Sequence, residues 1–273
     1  GGLSVLSLPT LELVQFQLSG LVVTAPIWSP NEPQFVIGIK ESDNATEMSL
    51  YVVDVSSSET RRVQNFLLLD TSEAALEWSE HGQFLTFTQT SADAPPRTAL
   101  VNPENGDMFQ INDLIQNANV IAWSSNDDLL LLSEQQTLAE GSSLRVLDTS
   151  TFALSPLSEI DFLTVNNIRW SPVGRTLALL GQSHQNGEFG AYVIDVGTGN
   201  LTQGFASVDP ALARGFLYWR ADGGQLLFTA SSYDSIFTTL GTPIALFTTD
   251  LTGNAVRLSP VNMQIDPSSI QVR

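Results

Sequence analysis

The sequence predicts an all-β protein assembled from repeated four-stranded units, and three features of its 273 residues carry this prediction. The first is a period, because the five tryptophans are spaced about 45 to 50 residues apart. The second is a short apolar run that follows each tryptophan after a polar turn. The third is a further apolar run that ends on aspartate or asparagine in every repeat. The runs are rich in β-branched and aromatic residues and too short for helices, so each is predicted to be a strand.

The predicted elements follow the same order in each repeat. The first strand leads into the tryptophan, and a turn follows: SPNEPQ, SEHGQ, SSNDD, SPVGR and RADGG. The second strand reads FVIGI, FLTFT, LLLLS, TLALL and QLLFT. After a polar loop of variable length, the third strand reads LYVVD, TALVN, LRVLD, AYVID and ALFTTD. A polar turn and a shorter fourth strand complete four antiparallel strands per unit.

A period of this length with four strands per unit predicts a β-propeller, in which neighbouring sheets cover each other's faces. The tryptophan at the end of the innermost strand is expected to fill the wedge between blades. The Asp or Asn that ends the third strand is expected to accept backbone N–H bonds in the following turn. These structural positions are Trp28, Trp78, Trp123, Trp170 and Trp219, and Asp54, Asn102, Asp148, Asp195 and Asp250.

The repeat resembles the TolB-type, WD40-like (PD40) propeller family over residues 21–260. The resemblance is carried by the WSP-turn-strand pattern and by VIDVGTGNLTQ at 193–203. It implies a β-propeller. The family includes periplasmic partner-binding domains and the non-catalytic propellers of serine peptidases, so the resemblance leaves the function open.

The chain is predicted to form one domain over residues 1–273, with repeats that begin near residues 21, 71, 116, 163 and 212. Residues 3–16 align with 144–157 and resemble the last two strands of another blade. With residues 261–273, the segment 1–18 is predicted to form a composite closing blade, which would remove a free sheet edge. This makes six blades; the alternatives are five blades with capping strands and a larger ring, such as seven.

The charge balance restricts the partners of the protein. Eleven basic residues oppose 29 acidic residues, which gives a net charge of −18 that repels nucleic acid and anionic lipid. No apolar run approaches the roughly 18 residues of a spanning helix. A surface rich in Ser, Thr, Asn and Gln favours an exported protein. The sequence opens GGLSVLSL without a basic n-region, so we expect that any signal peptide is not part of it. We also expect a monomeric domain.

The candidate site is the end of the blades that carries the second-to-third loops, here called the long-loop face. These loops differ in every repeat and span residues 40–49, 89–98, 133–142, 182–190 and 230–243, and variable loops on a rigid scaffold commonly bind ligands. The opposite end, here called the short-turn face, has stereotyped turns. On the long-loop face, the candidate contacts for a partner are Tyr233, Asp234, Phe237, Arg97, His184, Glu188 and Arg214; each has an alternative role as a packed or solvated loop residue.

No catalytic constellation is visible in the sequence. His81 occupies a turn position, GQSHQ at 181–185 fails the nucleophile-elbow pattern at its last residue, and no zinc motif is present. We therefore expect a non-enzymatic scaffold for a protein or peptide partner, without a cofactor or metal, although calcium bound by backbone carbonyls in the channel leaves no sequence mark. The alternatives are a glycan- or small-ligand-binding module, suggested by Tyr233 and Phe237, and the propeller domain of a larger hydrolase or peptidase.

Overall fold

The computed structural model describes residues 2–6, 11–67, 73–90, 96–116, 118–135, 142–157, 162–184, 187–207, 216–231, 244–250, 252 and 255–258. These residues form 23 strands and one short 3-10 turn, with no α-helix among them. The chain divides into two compact units, Gly1–Val120 and Ile121–Arg273.

The first unit contains an N-terminal hairpin and two blades. The hairpin pairs β1 (Gly2–Leu6) with β2 (Leu13–Gln17). Blade 1 is formed by β3 (Leu21–Val22), β4 (Ile27–Trp28), β5 (Gln34–Lys40), β6 (Glu47–Asp54) and β7 (Glu59–Leu67), in which β3 and β4 share the innermost position beside β5. Blade 2 is formed by β8 (Glu73–Trp78), β9 (Leu85–Thr90), β10 (Arg97–Val101) and β11 (Met108–Gln110), and the 3-10 turn Ile111–Asp113 follows.

The second unit contains three blades. Blade 3 is formed by β12 (Ala118–Trp123), β13 (Leu129–Gln135), β14 (Ser142–Asp148) and β15 (Leu154–Pro156). Blade 4 is formed by β16 (Phe162–Trp170), β17 (Thr176–Ser183), β18 (Phe189–Asp195) and β19 (Asn200–Ser207), and blade 5 by β20 (Leu217–Trp219), β21 (Leu226–Ser231), β22 (Ile244–Thr249) and β23 (Ala255–Arg257). A single bridge, between Ser142 and Phe162, joins the sheets of blades 3 and 4. The predicted four-stranded antiparallel blade is confirmed in all five repeats.

Apolar side chains on facing sheets form the cores between blades. In the first unit, Val36 and Phe66 of blade 1 pack with Leu76 and Phe87 of blade 2 in one buried cluster. In the second unit, one cluster joins blades 3 and 4 and another joins blades 4 and 5. The apolar faces of the sheets are thus covered by the sheets of neighbouring blades, since a single four-stranded sheet cannot bury its own faces.

The indole groups of three tryptophans connect blades 2, 4 and 5 to the blade that precedes each of them. Each Nε1–H donates to the carbonyl oxygen of the residue that precedes the tryptophan of the previous blade. The pairs are Trp78 with Ile27 at 2.9 Å, Trp170 with Ala122 at 3.3 Å and Trp219 with Arg169 at 3.0 Å. The ring therefore fixes the register between blades in addition to filling space.

Trp28 of blade 1 has a different environment. Its ring lies 5.0 Å from that of Phe35, and 51% of its surface is exposed, whereas Trp78 is only 7% exposed. Sequence position alone therefore does not decide whether a repeat tryptophan is buried.

Carboxylate and amide side chains hold the turns between the third and fourth strands. An Oδ1 atom at the end of each third strand accepts from a backbone N–H two or three residues later: Asp54 from Ser56 at 2.7 Å, Asn102 from Glu104 at 2.8 Å, Asp148 from Thr151 at 2.9 Å, Asp195 from Thr198 at 3.0 Å and Asp250 from Thr252 at 3.1 Å. The Ser150 hydroxyl and the turn N–H groups lower the pKa of Asp148, because they stabilise its charged form.

Candidate functional site

The structure describes three of the seven residues predicted to contact a partner. Tyr233, Asp234, Phe237 and Arg214 lie outside the described residues. Arg97 begins β10, His184 follows β17 and Glu188 precedes β18, so each lies at the loop end of its hairpin. Arg97 and His184 are exposed, and Glu188 is half-buried.

Arg97 lines a cleft of about 410 Å³ at the long-loop end of the first unit, between blades 1 and 2. We call it the Arg97 cleft. Its polar lining includes Asn65 of β7, Gln110 of β11 and Asp113 of the 3-10 turn, and its apolar lining includes Phe66 and Phe87. A cavity of this size lies at the lower end of the range for ligand pockets, about 300–1,000 Å³.

The cleft exists because the outermost strand of blade 2 is short. Strand β7 of blade 1 has nine residues, whereas β11 has three and the chain then turns into the 3-10 segment. The rings of Phe66 and Phe87, with centroids 4.1 Å apart, close the floor and belong to the core between the blades. The opening is therefore built on rigid packed elements, which limits the ordering cost of binding.

Asn112 holds the backbone on both sides of Arg97. Its Nδ2 donates to the carbonyl oxygen of Pro96 at 2.9 Å, and its Oδ1 accepts from the backbone N–H of Thr98. The Asn112 side chain thus satisfies a backbone carbonyl and a backbone N–H of this segment, which a longer fourth strand would otherwise bond through its own main chain. Sequence reasoning missed this residue because an asparagine in a polar loop carries no sign of a partner 14 residues earlier.

Two opposite charges face the cleft without an ion pair. The ion pairs among the described residues join Arg145 to Glu134, Arg175 to Asp128 and Arg220 to Asp222. Within that part of the chain, neither Arg97 nor Asp113 has such a partner, and both are exposed. The rim therefore presents one guanidinium and one carboxylate to solvent.

A second cavity of about 520 Å³ lies at the short-turn end of the first unit. Its lining includes Glu32, Arg61, His81 and Glu104. Although it is larger, its guanidinium is already engaged, because Arg61 donates to the carbonyl oxygen of Pro103. The Arg97 cleft is therefore the better candidate for recognition of a charged ligand.

Glu188 acts through its main chain in the hairpin of blade 4. Its carbonyl oxygen accepts from the Ser183 backbone N–H at 3.0 Å and from the Tyr192 hydroxyl at 3.3 Å. Burial of Tyr192, with a smaller contribution from the charge of Glu188, raises the pKa of this phenol to about 12. The phenol therefore stays protonated and serves as a hydrogen-bond donor to the loop.

Across the described ranges, no group of three or more His, Asp or Glu side chains is arranged to hold a metal ion. The same residues contain no helix with the length and apolar character needed to cross a membrane.

Comparison with known proteins places the chain among β-propellers. No protein-family model and no curated protein matches the sequence. The β-propeller domain of the Trilobed protease from Pyrococcus furiosus matches the structure with a TM-score of 0.52 and 13% identity, over 68% of this chain and 57% of that one. A structure from an analysis of two prolyl endopeptidases matches with a TM-score of 0.53 and 14% identity, over 98% and 39% of the two chains.

TolB from Acinetobacter baumannii also matches, with a TM-score of 0.46 and 13% identity, over 93% of this chain and 58% of the TolB chain. The chain thus spans less than two thirds of these proteins. The predicted β-propeller fold is confirmed by the two matches with TM-scores above 0.5, and identities this low concern the fold alone.

Proposed function

We propose that this protein is a non-enzymatic, exported β-propeller that binds a protein or peptide partner through its long-loop face. The observation that carries the proposal is the Arg97 cleft, which combines amide groups, an apolar floor and two charges that form no ion pair with any other described residue. Binding sites commonly have this composition, in which apolar surface supplies affinity and a few polar groups fix orientation.

The position of the cleft supports the proposal. Loops on a rigid scaffold can vary without loss of the fold, and the cleft is lined by Gln89 and Arg97, which belong to the predicted variable loop 89–98. The net charge of −18 favours partners that carry positive charge and raises their rate of encounter.

Site-directed photo-crosslinking tests the choice of face. A crosslinking residue replaces Asn65, which is exposed and lines the cleft, and in a control variant it replaces Glu80, which is exposed in a turn of the short-turn face. We expect discrete adducts with envelope proteins from the Asn65 position and none from the Glu80 position. Adducts at Glu80 alone, or equal adducts at both positions, would contradict the proposal.

A second candidate is that this chain serves as the propeller domain of a larger hydrolase or peptidase. The match to a prolyl endopeptidase over 98% of this chain and 39% of that one favours it. The test is to read the gene on both sides of the present sequence. An α/β-hydrolase domain in the same reading frame would support the peptidase candidate, and a signal peptide or lipoprotein anchor as the sole addition would support the scaffold.

A further inference from the structure

We infer that the Arg97 cleft binds a short peptide segment with one acidic and one basic side chain, whose carboxylate pairs with Arg97 and whose cation pairs with Asp113. The inference rests on the proposed function and names the chemistry of its partner. It assigns a role to a pair of charges that has no structural use among the described residues.

The two charges are held at a defined spacing. Asn112 bonds to the backbone on both sides of Arg97 and is followed directly by Asp113, so its side chain links the 3-10 turn to the start of β10. Both groups line the same cleft, and they do not form an ion pair with each other. A ligand that brings both complementary charges satisfies both groups at once, and charge-assisted hydrogen bonds are stronger than neutral ones.

The remaining lining favours a peptide over an acidic sugar chain. The Oδ1 atom of Asn65 accepts from the Ser49 hydroxyl at 2.9 Å, and the Nε2 group of Gln110 donates to the Met108 sulfur at 3.4 Å. The Asn65 Nδ2 donor and the Gln110 Oε1 acceptor together are the complement of a peptide group. Met108 is exposed on the same wall, and a methionine side chain can adapt its shape to varied apolar side chains. An acidic oligosaccharide would satisfy Arg97 but would bring like charge toward Asp113 and toward a protein of net charge −18.

The test begins with phage selection from a library of short random peptides on the immobilised wild-type protein, with counter-selection on the double variant Arg97→Gln/Asp113→Asn. Synthetic copies of the enriched peptides are then measured by fluorescence polarisation against each single variant. The control variants are Arg62→Gln and Glu59→Gln, which remove the same charges from exposed positions on β7 outside the cleft. Equal melting temperatures show that each variant is folded.

We expect the enriched peptides to contain an acidic and a basic residue. Each cleft variant should weaken binding roughly tenfold, the scale of one charge-assisted hydrogen bond, and the controls should leave it unchanged. A charge exchange sharpens the test: Arg97→Glu should lose the parent peptide and regain binding when the acidic residue of that peptide is replaced by lysine.

The alternative outcomes are distinct. Peptides that bind the long-loop face but respond to neither Arg97→Gln nor Asp113→Asn would overturn this inference and leave the proposed function standing. Failure of any peptide to bind, together with no adduct at Asn65, would overturn both. Binding of an acidic oligosaccharide that is lost in Arg97→Gln and kept in Asp113→Asn would overturn the peptide assignment.

Discussion

Replacement of Trp78 by phenylalanine tests whether the indole hydrogen bond fixes one blade to the next. Trp78 is 7% exposed and donates to the carbonyl oxygen of Ile27 at 2.9 Å. Phenylalanine keeps an aromatic ring but cannot donate. Trp28→Phe is the matched control, because Trp28 occupies the same repeat position but is 51% exposed and has no indole hydrogen bond among the described residues.

The expected cost follows from two contributions. A lost intramolecular hydrogen bond costs about 1 kcal/mol. The smaller ring leaves a gap in a packed core, which costs a further 1–2 kcal/mol, roughly. Trp78→Phe should therefore lower the free energy of unfolding by about 2–3 kcal/mol, and Trp28→Phe by less than about 1 kcal/mol. For a domain of this size the first change corresponds to a fall in Tm of about 5 °C or more.

Urea unfolding followed by far-UV circular dichroism measures both variants without reliance on tryptophan fluorescence. The comparison requires similar m-values, since a change in slope would indicate loss of cooperativity. Equal destabilisation by the two substitutions, or none by Trp78→Phe, would refute the role of the indole in blade register.

Three further predictions concern closure, turns and ion pairs. Deletion of residues 1–18 should lower Tm strongly and promote aggregation, because Phe16 is buried against blade 1. A truncated protein that stays monomeric and melts within a few degrees of the parent would indicate that this segment is only a peripheral cap. Because the pKa of Asp148 is lowered in the fold, its charge stabilises the folded state above about pH 4, and this contribution is lost as the pH falls through the lowered pKa. The difference in the free energy of unfolding between wild type and Asp148→Asn should therefore shrink in acid, as urea titrations at a series of pH values would report. Arg175→Gln removes a partly exposed ion pair with Asp128. It should lower the free energy of unfolding by about 0.5–1 kcal/mol at low salt and by much less at about 1 M salt. A loss of stability that does not depend on salt would contradict an ionic contribution.

The repeat predicted the blades well because its signals are local. The Asp or Asn at the end of the third strand, for example, accepts a hydrogen bond from a backbone N–H two or three residues later. The environment of Trp28 was not predictable in this way, since the burial of a ring between sheets depends on the neighbouring blade and leaves no mark in its own repeat.

The candidate site was only partly predictable. Arg97 was identified because it adjoins a variable loop, but Asn112 and Asp113 were not, because their role depends on the early end of β11. Strand length in an outer position is set by packing against the next blade more than by the residues themselves. The three residues predicted from the loop 230–243 lie outside the described residues and stay predictions.

The choice of a main-chain acceptor for the indole N–H has a consequence for sequence variation. Ile27, Ala122 and Arg169 accept the bond equally, although one is branched and apolar, one is small and one is charged. A substitution at this position cannot delete the acceptor, because every amino acid brings the same carbonyl group. The hydrogen bond itself therefore places no restriction on the side chain of these three residues, and new side-chain chemistry at these positions would leave the acceptor of the indole N–H in place.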